Sequence, residues 1–404
     1  MSAPRLGSRV VTRPDGGYWR PTDFEVVASW VHGRVAAPVS DGSGPRDPID
    51  ALEAAILPAL VRAPCFVAFS GGRDSSAVLA VATDLARRHG LPDPVPVTEL
   101  YPGIPESDES EWQHLVVAHL GLDEWVRLEF GHGNDLLGSD AQASLRRRGL
   151  IWPVALHVKT AVLARLGGSG SLLTGEGGDE VLGRRRGYRV SRTWRRDPRS
   201  LRPRDLRAAG SALAPLPYRR VRERVRLDRA ALQPWLSPET RLRHHRLLAA
   251  DLASERLTTA GSLEWLLTRR AAVMATHNYT RLAADYGVSL HEPLLDATFV
   301  RSLAEKAGTW GFVSRTAAMR ELFGPLLPDA VLERRTKAYF NRAFMGEETR
   351  AFARSWDGTG VDPQLVDVEV LAAEWAAEVP SAMSTPLLHA AWLSSASAHT
   401  GSAR

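Results

Sequence analysis

The stretch from Cys65 to Ser76 limits what this chain can fold into more than any other. Cys65 to Phe69 is a short apolar run bounded by Pro64, the pattern of a strand buried on both faces. Gly71 and Gly72 follow at once, then Asp74, Ser75 and Ser76 lead into the apolar-periodic run Ala77–Leu85. That run predicts a helix capped by its own Ser and Asp side chains. A strand, a glycine turn and a helix N-terminus together make an anion site. Backbone N–H groups converge there, the helix dipole favours negative charge, and glycine admits a phosphate closely.

The turn has no Gly-Lys-Ser/Thr and so is not a Walker loop. Ser70-Gly-Gly-Arg-Asp-Ser75 instead resembles the loop with which the ATP pyrophosphatase superfamily holds the pyrophosphate end of ATP. A bland glycine turn is the competing reading. Downstream elements favour the first. Pro94–Leu100 and Trp125–Phe130 read as further strands, residues 154–166 as a helix, and Ser171–Thr174 as a strand running into Gly175-Glu-Gly-Gly-Asp-Glu180. Ser107 suits an N-cap, with Asp108, Glu109 and Glu111 in the first turn of a helix. Alternating β and α elements predict a doubly wound, mainly parallel α/β sheet, and the chain from about residue 240 reads as largely helical. Residues 49–62 also read as a helix, Asp15-Gly16-Gly17 as a turn between short strands, and 41–48 as an exposed linker.

Two acidic groups beside glycines, Asp74 and Asp179, each follow a strand, and loops at the carboxyl edge of a parallel sheet share one crevice. Two carboxylates there suit Mg²⁺ bridging ATP phosphates. The block Leu172–Gly183, together with the first loop, resembles the synthetase domain of the asparagine synthetase family. Two more blocks agree in order: Arg281 with His291–Asp296, then Ser314–Phe323, Leu327–Asp329 and Arg334-Arg-Thr-Lys337. The resemblance implies an adenine nucleotide alpha hydrolase-like fold. It also implies that Ser70, Gly71, Gly72, Asp74 and Ser75 hold the pyrophosphate, that Ala68 and Gly175 line the adenine site, and that Asp74 and Asp179 bind Mg²⁺. Glu176 would be the base for an incoming amine, and Lys337 would face the charge that develops on the α-phosphate. Lys337 is one of only three lysines, with Lys159 and Lys306, in a chain that otherwise uses arginine. A surviving lysine points weakly to a site that needs a compact ammonium.

The chain departs from the family in two places. Only about 60 residues precede the loop, and Ser2 stands where a glutaminase domain carries cysteine. The expectation is a short N-terminal segment (1–48), an ATP pyrophosphatase domain (49–345) and a helical extension (346–404), with ammonia or an amine supplied from elsewhere, such as a partner glutaminase or a peptide-binding partner. Where the family carries an aromatic and Gly-Gly-Tyr, Val181–Tyr188 carries an arginine cluster. That puts asparagine synthesis itself in doubt and leaves lasso-peptide or β-lactam cyclisation in natural-product biosynthesis as an alternative. A tRNA-modifying or sulfur-transfer pyrophosphatase is the reading from another class. Arginine makes up about a third of residues 184–226. A solvated loop is the expectation there, and a docking surface for an acidic substrate or peptide the alternative. Net charge is +5, which by itself indicates no nucleic acid. A single cysteine and the lack of an apolar run of membrane-spanning length fit a reducing cytoplasm.

Overall fold

In a computed structural model, residues 17–36, 44–131, 134–194, 202–334, 336, 338–340 and 342–401 are described. Lys337, proposed from sequence as the catalytic lysine, lies outside them, as does most of the Asp15–Gly17 turn and the start of the 41–48 linker.

Five parallel strands form the sheet: β1 (Cys65–Ala68), β2 (Val95–Leu100), β3 (Val126–Glu129), β4 (Ser171–Leu173) and β5 (Ser289–His291). Their order is β3-β2-β1-β4-β5. Phe66 pairs with Val95 on one side of β1 and with Leu172 on the other. The chain winds outward from β1 to β2 and β3, then crosses back to β4 on the opposite flank. The switch point therefore lies between the carboxyl ends of β1 and β4, where ligands bind in open parallel sheets.

The first strand corrects one expectation. Cys65 and Val67 are buried, but Phe66 and Ala68 are only half-buried, and Ala68 opens onto a cavity. The helix after it, Arg73–Arg88, is corrected too. Its N-cap is Gly72, without a side-chain cap, because Ser75 Oγ donates to the Gly72 carbonyl at 3.1 Å instead. Ser107 likewise starts no helix. Pro105–Ser107 makes one 3₁₀ turn and the helix runs Ser110–Leu120, with the Asp108 carboxylate accepting from the Ser110 N–H at 2.9 Å.

Among the described residues, most of the arginine-rich stretch is helical rather than a loop: Tyr188–Trp194, Pro203–Leu213 and Leu216–Ala230. Its prolines do not interrupt these helices. Pro203 and Pro217 occupy first-turn positions and Pro215 is an N-cap, where a missing N–H costs nothing.

Two apolar clusters cover the sheet. On one side Val67, Leu79, Phe299 and Phe323 are fully buried, beneath helices that include Pro48–Val61, Arg73–Arg88 and Ala297–Ala307. On the other, Val97, Phe130, Leu163, Leu172 and Leu282 pack together. A third cluster gathers Val27, Leu137, Leu145, Trp235, Trp375, Leu388 and Trp392. It joins the short N-terminal helix Asp23–Val27, the helix Ser139–Arg148 and the last helices of the chain. None of the helices, among the described residues, is long and apolar enough to cross a membrane.

Candidate active site

A cavity of about 450 Å³ opens at the switch point. Ala68, Ser70, Gly72, Asp74 and Ser75 from the loop after β1 line it, with Gly175, Glu176 and Asp179 from the loop after β4. Gly71, grouped with them from sequence, does not line the cavity. Its φ of +81° and a Cβ position only 2.9 Å from Gln113 Cγ explain the glycine, and its carbonyl accepts from Arg334 Nη1 at 2.8 Å. The two loops touch through backbone. A Cβ on Gly175 would stand 2.7 Å from Ser75 N, and one on Gly178 would collide with the Asp74 carboxyl. Glycine at these positions is what lets the acidic loop lie against the first.

Asp74 and Asp179 both pair with Arg315. Arg315, from the first turn of the helix Arg315–Phe323, places Nη2 2.6 Å from both Asp74 oxygens and pairs through Nη1 with Asp179. Burial pushes the Asp74 carboxyl above its ordinary range, and the Arg315 charge pulls against that shift. The guanidinium shows that both carboxylates aim at one point able to take positive charge. Among the described residues no group of three or more His, Cys, Asp and Glu is placed to hold a metal ion. Two carboxylates alone fit Mg²⁺, which takes its remaining ligands from phosphate oxygens and water.

Glu176 is exposed at the cavity rim. Behind it the Glu292 carboxyl is pushed up by burial, with Glu176 adding to the shift. Across the cavity, Lys159 Nζ lies 2.6 Å from Glu99 Oε1. Tyr101 Oη donates to the other Glu99 oxygen at 2.7 Å, and Asn134 Nδ2 donates to Tyr101 Oη at 2.8 Å. Burial works to raise the Glu99 carboxyl, but Lys159 and these donors bring it below its usual range. Tyr101, Tyr279, Phe340 and Phe344 complete an aromatic wall.

Sequence reasoning missed Arg315, Arg334, Glu99 and Tyr101 as site residues. Lys159 carried the one available signal, lysine in an arginine-using chain. Lys306 shows how weak that signal is, since it only pairs with Asp47 at 3.1 Å on the surface. From the segment that flanks position 337, Thr336, Ala338 and Phe340 line the cavity. Arg334 fixes one end: it pairs with buried Glu109, lies 4.8 Å over the Trp112 ring and donates from Nε to Thr336 Oγ1 at 3.0 Å. The other end is held by the Tyr339 N–H, which donates to the Glu106 carbonyl at 3.0 Å.

No curated protein matches this chain. Residues 50–394 match the profile of asparagine synthase, its synthetase portion alone. That match covers both loops, the Arg315 helix and the segment over the cavity, and the chain belongs to the asparagine synthase family.

Proposed function

We propose that this chain adenylates a carboxylate with Mg²⁺-ATP, releases pyrophosphate and passes the acyl group to a nitrogen nucleophile. Family membership supports an ATP-dependent amide-forming ligase in general. The observation that carries the finer reading is the convergence of Asp74 and Asp179, from two loops at the switch point, on one cation position.

Each part of the site has work in this reaction. The uncapped first turn of Arg73–Arg88 and the hydroxyls of Ser70 and Ser75 bind the pyrophosphate end of ATP, and Ala68 and Gly175 flank the adenine. Mg²⁺ held by Asp74 and Asp179 would neutralise phosphate charge. Arg315, which here bridges both carboxylates, would turn its guanidinium to the phosphates if Mg²⁺ occupied that position. Thr336 and Ala338, the sequence neighbours of Lys337, line the cavity, and in this reading the Lys337 ammonium stabilises charge on the α-phosphate and on the tetrahedral intermediate. Glu176, at the rim, accepts a proton from the attacking amine. The nitrogen comes from free ammonia, from a separate glutaminase, or from an amine on the substrate. The cytoplasm, with its supply of ATP, is the compartment this reading assigns.

Pyrophosphate release measured across candidate carboxylates tests the reading. Lys337→Ala and Asp74→Asn are expected to lower release by about a hundredfold or more with unchanged circular dichroism. Near-normal release in Lys337→Ala would remove that lysine from the chemistry. ATP binding without pyrophosphate release for any acid or peptide would overturn the adenylation itself.

A further inference from the structure

The arginine-rich helices carry a feature the proposed reaction does not use. Residues 184–230 contain 17 arginines against four acids, while the rest of the chain holds 34 basic and 42 acidic residues. The positive charge is therefore concentrated here in an otherwise acidic molecule. A groove between the helices Tyr188–Trp194, Pro203–Leu213 and Leu216–Ala230 is lined by Arg189, Arg204, Arg207, Tyr218 and Arg222. Arg222 pairs with its neighbour Glu223 at 2.6 Å. Among the described residues, Arg189, Arg204 and Arg207 have no carboxylate against them. Guanidinium groups gathered without counter-charges repel one another, and an acidic ligand relieves that repulsion.

The groove continues onto an apolar stripe. On Leu216–Ala230, Tyr218, Val221 and Val225 recur at helical spacing and are 59%, 64% and 42% exposed. Arg222 and Arg229 share that side, and Glu223 and Leu227 are buried on the opposite one. The helix thus turns apolar side chains outward as well as inward. A contiguous exposed patch rimmed by charge marks an interaction surface.

We propose that this surface docks an acidic, amphipathic polypeptide segment. Its apolar side chains would cover Tyr218, Val221 and Val225, and its carboxylates would meet Arg189, Arg204, Arg207 and Arg222. A concave groove suits a polypeptide better than a flat bilayer. Tyr218 alone among the groove and stripe residues offers a ring for base stacking, which argues against single-stranded nucleic acid. The start of the arginine-rich stretch reaches the candidate site, since Arg184, Arg185 and Tyr188 line a cleft with Ser314 and Arg315. The proposal does not depend on the adenylation reading, because its readout is binding.

The test is fluorescence anisotropy on the full chain with a fluorescein-labelled peptide repeating Leu-Glu-Glu-Leu. The expected result is saturable binding that weakens about tenfold in about 0.5 M salt. It should weaken to a similar degree, about tenfold, in Arg204→Glu/Arg207→Glu and, separately, in Val221→Ser/Val225→Ser. All four positions are on the surface, so thermal melts should be unchanged and the loss attributable to docking. Absent binding, or equal binding by both variants, would overturn the proposal. So would tighter binding to phosphatidylglycerol vesicles or to a single-stranded oligonucleotide than to the peptide. Salt-sensitive self-association seen by light scattering, and lost in the same variants, would replace the peptide with a second copy of this chain.

Discussion

Arg315 bridges two carboxylates from different loops, Asp74 and Asp179. With Arg315 and Asp74 each about four-fifths buried, Arg315→Met is expected to destabilise the fold by about 1–3 kcal/mol, less than the loss of a fully buried pair. Mg²⁺ should restore part of that loss. The check is the melting temperature with and without Mg²⁺, where the variant should show a larger metal-dependent rise than the parent. An equal rise would mean that Asp74 and Asp179 do not act on one ion. Asp74 and Asp179 were legible as site residues because each stands beside glycines in a short local pattern. Arg315 was not, although Ser314–Phe323 was singled out as a block. Its partner Asp74 lies 241 residues away, and nothing local marks an arginine that closes such a distance. Glu99 and Tyr101 were hidden for a similar reason: one strand end becomes a polar wall only when Lys159 and Asn134 arrive from other elements.

At the scale of elements, the two loops succeed or fail together. Gly178→Ala would drive a methyl group into the Asp74 carboxyl, with an overpacking cost of about 1–3 kcal/mol. ATP affinity should fall with stability, since displacing Asp74 also moves Ser75 and the first turn of its helix. Calorimetric titration with ATP and a denaturant melt on the same variant check both effects, and unchanged ATP affinity would separate the loops. The parallel sheet was legible because β1 and β4 are short apolar runs that lead into glycine loops. β5 was not, since three residues, Ser289–His291, are too few to show a period. The helices of the arginine-rich stretch were missed because proline reads as a breaker, while Pro203, Pro215 and Pro217 stand where helices begin.

At the scale of the whole molecule, the third core ties the chain's ends together. Val27 near the start packs with Leu388 and Trp392 near the end, and Thr349 Oγ1 donates to the buried Asp135 carboxylate. Truncation after Met345 would uncover Leu137, Trp235 and Leu236. The expected product is insoluble or lacks a cooperative melt, whereas a well-folded fragment would establish residue 345 as a domain boundary. Four histidines in the interior add a pH response. Burial lowers His32 and His389 to about 4 and His244 to about 3, and holds His157 well below its usual value. The unfolded chain takes up protons near 6.5 while the folded chain resists. Stability is therefore full above pH 6.5 and falls as pH drops towards about 4. His389 alone accounts for about 3 kcal/mol over that window. Urea melts at about pH 7.5 and about pH 5 should show the decline, and His389→Gln, which can still donate to the Leu136 carbonyl, should reduce it. Undiminished stability at the lower pH would contradict the assignment.

The segment fastened at Arg334 and Tyr339 has a kinetic consequence. In the proposed reaction, pyrophosphate formed in the first loop would lie beside a strap held at both ends, and its exit would require the Arg334–Glu109 pair to open. We propose that departure of this product, rather than bond-making, sets the pace of turnover. Mixed rapidly with ATP and its acid, the protein should form pyrophosphate in an initial burst close to one equivalent per site. A linear onset without a burst would place the slow step before the strap has anything to release.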